Sequence, residues 1–265
     1  MAPSMYVSAM CNCLDACPTH VILPHALRNV KWRSRMANVP QVGHEISALT
    51  DERTFEALYI EPILRQVKAQ NPTTKFVTSP TRNGVFDTDS AQTLYLWVDC
   101  KTEGEATFKA VTAALEPLRA AGYLTNYTED DGVKAGPVTV IGTGNTPLNL
   151  VQGVSPRDYF FDGQLTTLAT SNLTADVTPI ASTDFKTAVG ALPNGTFTAA
   201  QFKNLTDQIA AAKDKGIGVR YWDTPGWPVS ARNRIWTQLW AAGVTLINVD
   251  DLQAGAGFAD QSQYW

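Results

Sequence analysis

The chain has 265 residues, 44% of them hydrophobic and 17% charged, with a net charge of −4. That is enough apolar material for one large domain or two small ones, and too much for a disordered chain. An acidic balance with no long basic run argues against nucleic acid as a partner, and no apolar run is long enough for a transmembrane segment.

Residues 1–41 differ in texture from the rest. They carry Cys11, Cys13 and Cys17 ahead of His20, a spacing outside the standard zinc patterns, and a basic stretch with Arg28, Lys31, Arg33 and Arg35. His20–Leu23 is the one candidate strand. Asn12, Asp15, Pro18 and His20 interrupt any apolar run of the kind a signal peptide needs. Against this, Asn126, Asn172, Asn194 and Asn204 each begin a glycosylation sequon, which points to a secretory-pathway ancestry.

Further along, Phe55, Leu58, Tyr59, Ile63 and Val67 follow helical spacing, with Pro62 expected to restart or kink the helix. From Leu94 a strand-then-helix rhythm sets in. The candidate strands are Leu94–Val98, Val138–Ile141, Asp158–Phe161, Thr178–Ala181, Ile217–Tyr221 and Thr245–Val249. Apolar stripes of helical period lie between several of them: Phe108 to Leu118 closed by Gly122, Phe202 to Ala212 closed by Gly216, and Ile235 to Trp240 closed by Gly243. Such alternation predicts a parallel sheet wrapped by helices. A closed β/α barrel needs eight strands, and the two not accounted for would fall before Val42. The expected organisation is an atypical segment over 1–41, a barrel over 42–258 that lacks its first two strands or has them replaced, and a tail over 259–265.

The chemistry is expected at the carboxyl ends of these strands, where parallel α/β folds place their sites. Leu94–Val98 runs into Asp99-Cys100-Lys101-Thr102. Asp99 and Lys101 lie two residues apart and so face the same side of an extended chain. The pair fits a metal ligand beside a phosphate-binding cation, or a plain ion pair at a strand end. Asn145 follows Val138–Ile141, Trp222 follows Ile217–Tyr221 and Asp250 follows Thr245–Val249, and these three are candidate substrate contacts. Ser182, Thr183, Asp184 and Asp251 fit helix N-caps instead. His44, in a Gly-His turn, is the candidate proton-transfer group. Gly142-x-Gly144 has Pro147 where a third glycine would stand, so the dinucleotide fingerprint fails. Serine-hydrolase and nucleotide-triphosphatase motifs are absent from the sequence.

Several segments form one ordered series: Val42-Gly43-His44-Glu45, Arg53-Thr54-Phe55, Val98-Asp99-Cys100-Lys101-Thr102, Pro137 to Pro147, Arg157 to Asp162, Arg220 to Pro225 and Asn248 to Leu252. The series resembles the fungal altered inheritance of mitochondria protein 6 family, within the phospholipase C-like phosphodiesterases that include glycerophosphodiester phosphodiesterases and sphingomyelinase D-like enzymes. It covers about Val42 to Phe258. The resemblance implies a TIM-type β/α barrel that hydrolyses phosphodiesters, on a lipid or glycerophosphodiester, with Mg2+ or Ca2+ as the divalent metal. It implies that His44 is a catalytic histidine, Asp99 a metal ligand, Lys101 a holder of the substrate phosphate, and Trp222 an aromatic wall. The first-strand His-Asn-Asp and second-strand Glu-x-Asp motifs of the relatives are not found before Val42, where His20 is only a faint stand-in for the first histidine. Fewer metal ligands predict weak metal binding and little or no activity for this chain. A non-catalytic binding barrel, or a glycoside hydrolase or sugar-binding barrel using Trp222, Trp227, Asp223, Asp250 and Asp251, are the rival readings.

Overall fold

The computed structural model describes residues 4–9, 30–31, 39–43, 48–79, 81–87, 89–101 and 103–257. They divide into two units, with the boundary between Phe161 and Asp162. His44, Cys11, Cys13, Cys17 and the candidate strand His20–Leu23 lie outside the described residues.

The first unit begins with two short antiparallel strands, β1 (Ser4–Ala9) and β2 (Val30–Lys31). Sequence reasoning expects no strand at residues 4–9, so β1 corrects it. A π-helical turn, Glu56–Ile60, then runs directly into α1 (Glu61–Gln70), with Pro62 in its first turn. The Glu61 N–H donates to the Glu56 carbonyl of the π turn, so the chain stays helical throughout, and Pro62, which has no N–H, falls where the wider turn gives way to α-helix. The segment buries Phe55, Ile60, Ile63 and Val67.

The rest of the first unit comprises β3 (Leu94–Cys100), α2 (Gly104–Ala114), α3 (Glu116–Ala120), a hairpin of β4 (Asn126–Thr128) and β5 (Gly132–Lys134), β6 (Val138–Gly144) and β7 (Phe160–Phe161). Its sheet has the order β2-β1-β3-β6-β7. β3, β6 and β7 are parallel, whereas β1 runs antiparallel along β3, pairing Met5 with Cys100 and Ala9 with Leu96. The edge of β3 that a missing parallel strand would leave open is therefore covered. Leu96, Val98, Val138, Val140 and Ile141 are buried, as expected for strands packed on both faces.

The second unit contains β8 (Gly163–Gln164), β9 (Ile180–Asp184), α4 (Phe185–Val189), α5 (Ala199–Asp214), β10 (Gly218–Trp222), α6 (Val229–Ala241), β11 (Leu246–Ile247) and α7 (Leu252–Gly257). Its four strands are all parallel, in the order β11-β10-β9-β8. A capping box between Thr198 and Gln201 starts α5. Phe185, Leu205, Ala212, Tyr221, Ile235, Trp236 and Leu239 fill the core between sheet and helices. The six strands expected from the sequence are all present, three in each sheet and parallel to one another there, in a mixed α/β fold. No closed barrel forms among the described residues.

Candidate functional site

In β3, Tyr95, Trp97 and Asp99 alternate with Leu96, Val98 and Cys100, so the two sets face opposite sides of the sheet. The rings of Tyr95 and Trp97 pack at a tilt of 53°, with centroids 5.6 Å apart. One pleat further on, Asp99 continues their face, and Lys101 Nζ lies 2.7 Å from Asp99 Oδ2 just past the strand. The Asp99 side chain is 17% exposed and that of Lys101 is 37% exposed. The carboxylate is therefore mostly withdrawn from water, and the ammonium sits at the mouth.

β6 completes this strand end. Asp99 is in register with Thr143, and Cys100 with Gly144. Gly144 has φ +65°, and a Cβ there would run into Asp99 Oδ1 and come within 2.7 Å of the Cys100 carbonyl oxygen. Only glycine combines that backbone conformation with that approach. The chain then folds back, and the Asn145 N–H donates to the Cys100 carbonyl at 2.7 Å. Thr146 Oγ1 donates to the Thr143 carbonyl at 2.8 Å and lies 3.3 Å from Cys100 Sγ. Burial pushes the Cys100 thiol up to about 12; Thr146 opposes the shift and neighbouring Asp99 adds to it. The thiol is thus a neutral packing group beneath the site.

The helix that follows closes the same end. Glu103 caps α2, accepting from the N–H groups of Glu105 at 3.1 Å and Ala106 at 2.7 Å. A Cβ on Gly104 would meet the Asn145 carbonyl oxygen, so the start of α2 packs directly on the loop after β6. The structure therefore brings together Asp99, Lys101 and Asn145, three of the candidate residues. His44 lies outside the described residues, and Trp222 and Asp250 belong to the second unit.

At the carboxyl end of the second sheet, Trp222 ends β10 opposite Asp184 of β9 and is 42% exposed. Asp250 is exposed three residues beyond β11. Behind them lie polar residues that sequence reasoning missed or misassigned. Ser182 is no helix cap: it lies buried in β9, and its hydroxyl donates to Asp162 Oδ2 at 2.5 Å. Arg220, in register with Ser182, is 9% exposed and donates to Asn248 Oδ1 at 2.6 Å. An arginine inside an otherwise apolar strand was the available signal, since a charge is seldom buried without partners. Thr183 is also buried within β9, and accepts from Gln164 Nε2 at 3.2 Å. Asp184 and Asp251 do act as caps: Asp184 Oδ1 accepts from the Thr187 N–H at 2.6 Å, and Asp251 Oδ1 from the Ala254 N–H at 3.0 Å.

Among the described residues, no cluster of three or more histidine, cysteine, aspartate or glutamate side chains is placed to hold a metal ion. A hard divalent cation needs several oxygen ligands, and the ammonium 2.7 Å from Asp99 opposes a second cation at that carboxylate. The described residues do not fit a divalent metal site. At the end of β3 they place an ammonium, that of Lys101, against Asp99.

The AIM6-like phosphodiesterase domain family matches residues 35–162, a span that ends one residue beyond the first unit. The chain is 50% identical over 220 residues to the altered inheritance of mitochondria protein 6 homolog of Arthroderma benhamiae, covering 82% of this chain and 69% of that protein. It is 30% identical over 241 residues to altered inheritance of mitochondria protein 6 of Eremothecium gossypii, covering 86% of this chain and 61% of that one. With the protein of that name from Candida glabrata, identity is 29% over 238 residues, covering 82% and 58% respectively. No solved structure matches the chain. No helix among the described residues is long and apolar enough to cross a membrane. The chain belongs to the altered inheritance of mitochondria protein 6 family.

Proposed function

We propose that this chain is a phosphoric diester hydrolase of the phospholipase C-like type, acting on a lipid or glycerophosphodiester and built as a β/α barrel. The observation that carries the reading is the Asp99–Lys101 pair at the carboxyl end of β3, in a chain whose family match is to a phosphodiesterase domain. In this role Lys101 holds a non-bridging phosphate oxygen and offsets the negative charge that grows as phosphorus is attacked. Asp99 aims the ammonium, and Gly144 leaves room for Asp99. Hydrolysis forms one P–O bond and breaks another, so one proton must be removed and one supplied; His44 is the candidate for that transfer. Asn145, Trp222 and Asp250 are the proposed substrate contacts.

Mg2+ or Ca2+, when bound, would supply Lewis-acid stabilisation of the phosphate. Because the described residues do not fit such a site, we expect weak metal affinity and slow turnover. A secretory-pathway location belongs to the same reading; three of the sequon asparagines, Asn172, Asn194 and Asn204, are exposed. The test is hydrolysis of glycerophosphocholine and lysophosphatidylcholine with and without Mg2+. Slow turnover lost on Lys101→Met supports the reading. Robust Mg2+-dependent turnover abolished by Asp99→Ala would refute the low activity. Activity on glycosides, indifferent to chelator and to Lys101→Met, would replace the reading altogether.

A second reading, a non-catalytic binding protein for phosphodiesters, is favoured by the same pair. An aspartate already closed on its lysine at 2.7 Å can hold that cation for binding without taking part in chemistry. Diester binding that needs Lys101, with no hydrolysis at any Mg2+ concentration, is its signature.

A further inference from the structure

The loop after β10 presents an aromatic side chain that its own fold does not use. Trp227 is 77% exposed, although an indole offers about 200 Å2 of mostly apolar surface that water solvates poorly. The exposure is built in, because both ends of the loop are fastened. Asp223 is ion-paired to Lys186 at 2.7 Å. The Trp236 indole N–H donates to Thr224 Oγ1 at 3.2 Å, and the Ala231 and Arg232 N–H groups donate to the Pro228 carbonyl, each at 3.0 Å. Pro225 and Pro228 stiffen the backbone on either side of Gly226-Trp227. Little conformational freedom is left to lose when Trp227 engages a partner.

The neighbouring chemistry narrows what that partner is. Trp222 ends β10 and Leu252 follows β11, both partly exposed and at the same end of this parallel sheet. Two indoles and a leucine amount to about 600 Å2 even if fully covered, below the roughly 800 Å2 per partner of a specific protein interface. No charged residue occurs from Thr224 to Ala231. Among the described residues, Lys186 is set against Asp223 and Arg232 against Asp251 at 3.8 Å, while Asp250 is exposed. These residues offer anionic lipid no surplus positive charge. An exposed, amphipathic, uncharged indole fits the headgroup layer of a bilayer, where tryptophan keeps its ring apolar and its N–H wet.

We propose that Trp227 is an interfacial anchor that inserts into a zwitterionic lipid surface and seats the carboxyl end of the second sheet against it. The choice of a lipid surface rests on the proposed function, that of an enzyme for lipid-borne diesters; the measurement of binding does not.

The test is co-sedimentation of the full chain with sucrose-loaded phosphatidylcholine vesicles, without added metal. Wild type is expected to partition onto the vesicles. Trp227→Ala should partition about tenfold less and Trp227→Phe only a few-fold less, with thermal melting curves unchanged. Adding phosphatidylserine should weaken binding or leave it unaltered. The proposal is overturned if wild type stays in the supernatant, if Trp227→Ala sediments like wild type, or if binding requires phosphatidylserine. Self-association that Trp227→Ala abolishes, in a chain that ignores vesicles, would also overturn it in favour of a protein contact. Vesicle binding without diester hydrolysis would leave the anchor standing and remove the hydrolase reading. Hydrolysis of soluble glycerophosphocholine without vesicle binding would do the reverse.

Discussion

The Lys101 ammonium lies 2.7 Å from the Asp99 carboxylate, at the point where β3 leaves its sheet. If the pair exists for stability, breaking it should be costly; if it serves a site, the cost should be small. Because Lys101 is more than a third exposed, solvent screens the attraction and the expected coupling is at most about 1 kcal/mol. A double-mutant cycle with Asp99→Asn and Lys101→Met, read by urea unfolding, measures it. A coupling of several kcal/mol would make the pair structural.

Gly144 provides a sharper test of how the site is built. Gly144→Ala must place a methyl group against the Asp99 carboxylate at φ +65°. Gly132→Ala meets a similar backbone conformation, φ +70°, with nothing within 4 Å of the new Cβ. The second change should cost about 1–2 kcal/mol, the price of the left-handed backbone alone. The first should cost at least about twice as much and also disturb Asp99. Equal unfolding midpoints for the two variants would show that Asp99 does not depend on the space Gly144 leaves.

The Cys100 thiol gives a pH prediction. Its pKa in the folded state is raised to about 12 by burial, so above its unfolded value the folded chain binds more protons than the unfolded one. The stabilisation is complete below about pH 8.5 and is lost as pH rises towards 12, at up to about 1.4 kcal/mol per pH unit. Comparing wild type with Cys100→Ala between pH 7 and pH 10 isolates this contribution. The stability difference should move in favour of the alanine variant as pH rises, and the native thiol should resist alkylating reagents at pH 8. Rapid alkylation of Cys100 in the folded chain would contradict its burial.

Asn248→Ala removes the acceptor 2.6 Å from the buried Arg220 guanidinium. A hydrogen bond to a charged group contributes about 1.5–3 kcal/mol, so a loss of that size is expected in urea unfolding. A loss below 0.5 kcal/mol, on the order of the scatter of a surface substitution, would show that Asn248 does not support Arg220.

These sites were unequally legible in the sequence. The glycines that close three apolar stripes, Gly122, Gly216 and Gly243, all have positive φ, because a helix end that turns back needs a conformation other residues resist. The segment Leu94–Val98 was found from its apolar run, yet β3 extends to Cys100. The parallel ladder continues through Asp99 and Thr143 although their side chains are polar, and backbone pairing leaves no mark on composition. Asp158–Phe161 shrinks to Phe160–Phe161: only these two residues pair with β6, while the backbone of Arg157 just before them bridges to Tyr127. β1 was invisible because its pairing with β3 is set by a partner some ninety residues away. Asp99, Lys101 and Asn145 were legible because each interrupts or follows an apolar run. Arg220 lies inside such a run and Ser182 heads a polar Ser-Thr-Asp stretch that reads as a helix cap, and only the register between β9 and β10 brings the two side by side.

The account stands most directly on whether Lys101 holds a phosphodiester. Titration calorimetry with glycerophosphocholine, without metal, compares wild type, Lys101→Met and Asp99→Asn. Binding by wild type that is lost in Lys101→Met and kept in Asp99→Asn, where the ammonium gives up its carboxylate partner, is the predicted result. Equal binding by wild type and Lys101→Met, or no binding by any of the three, would contradict it.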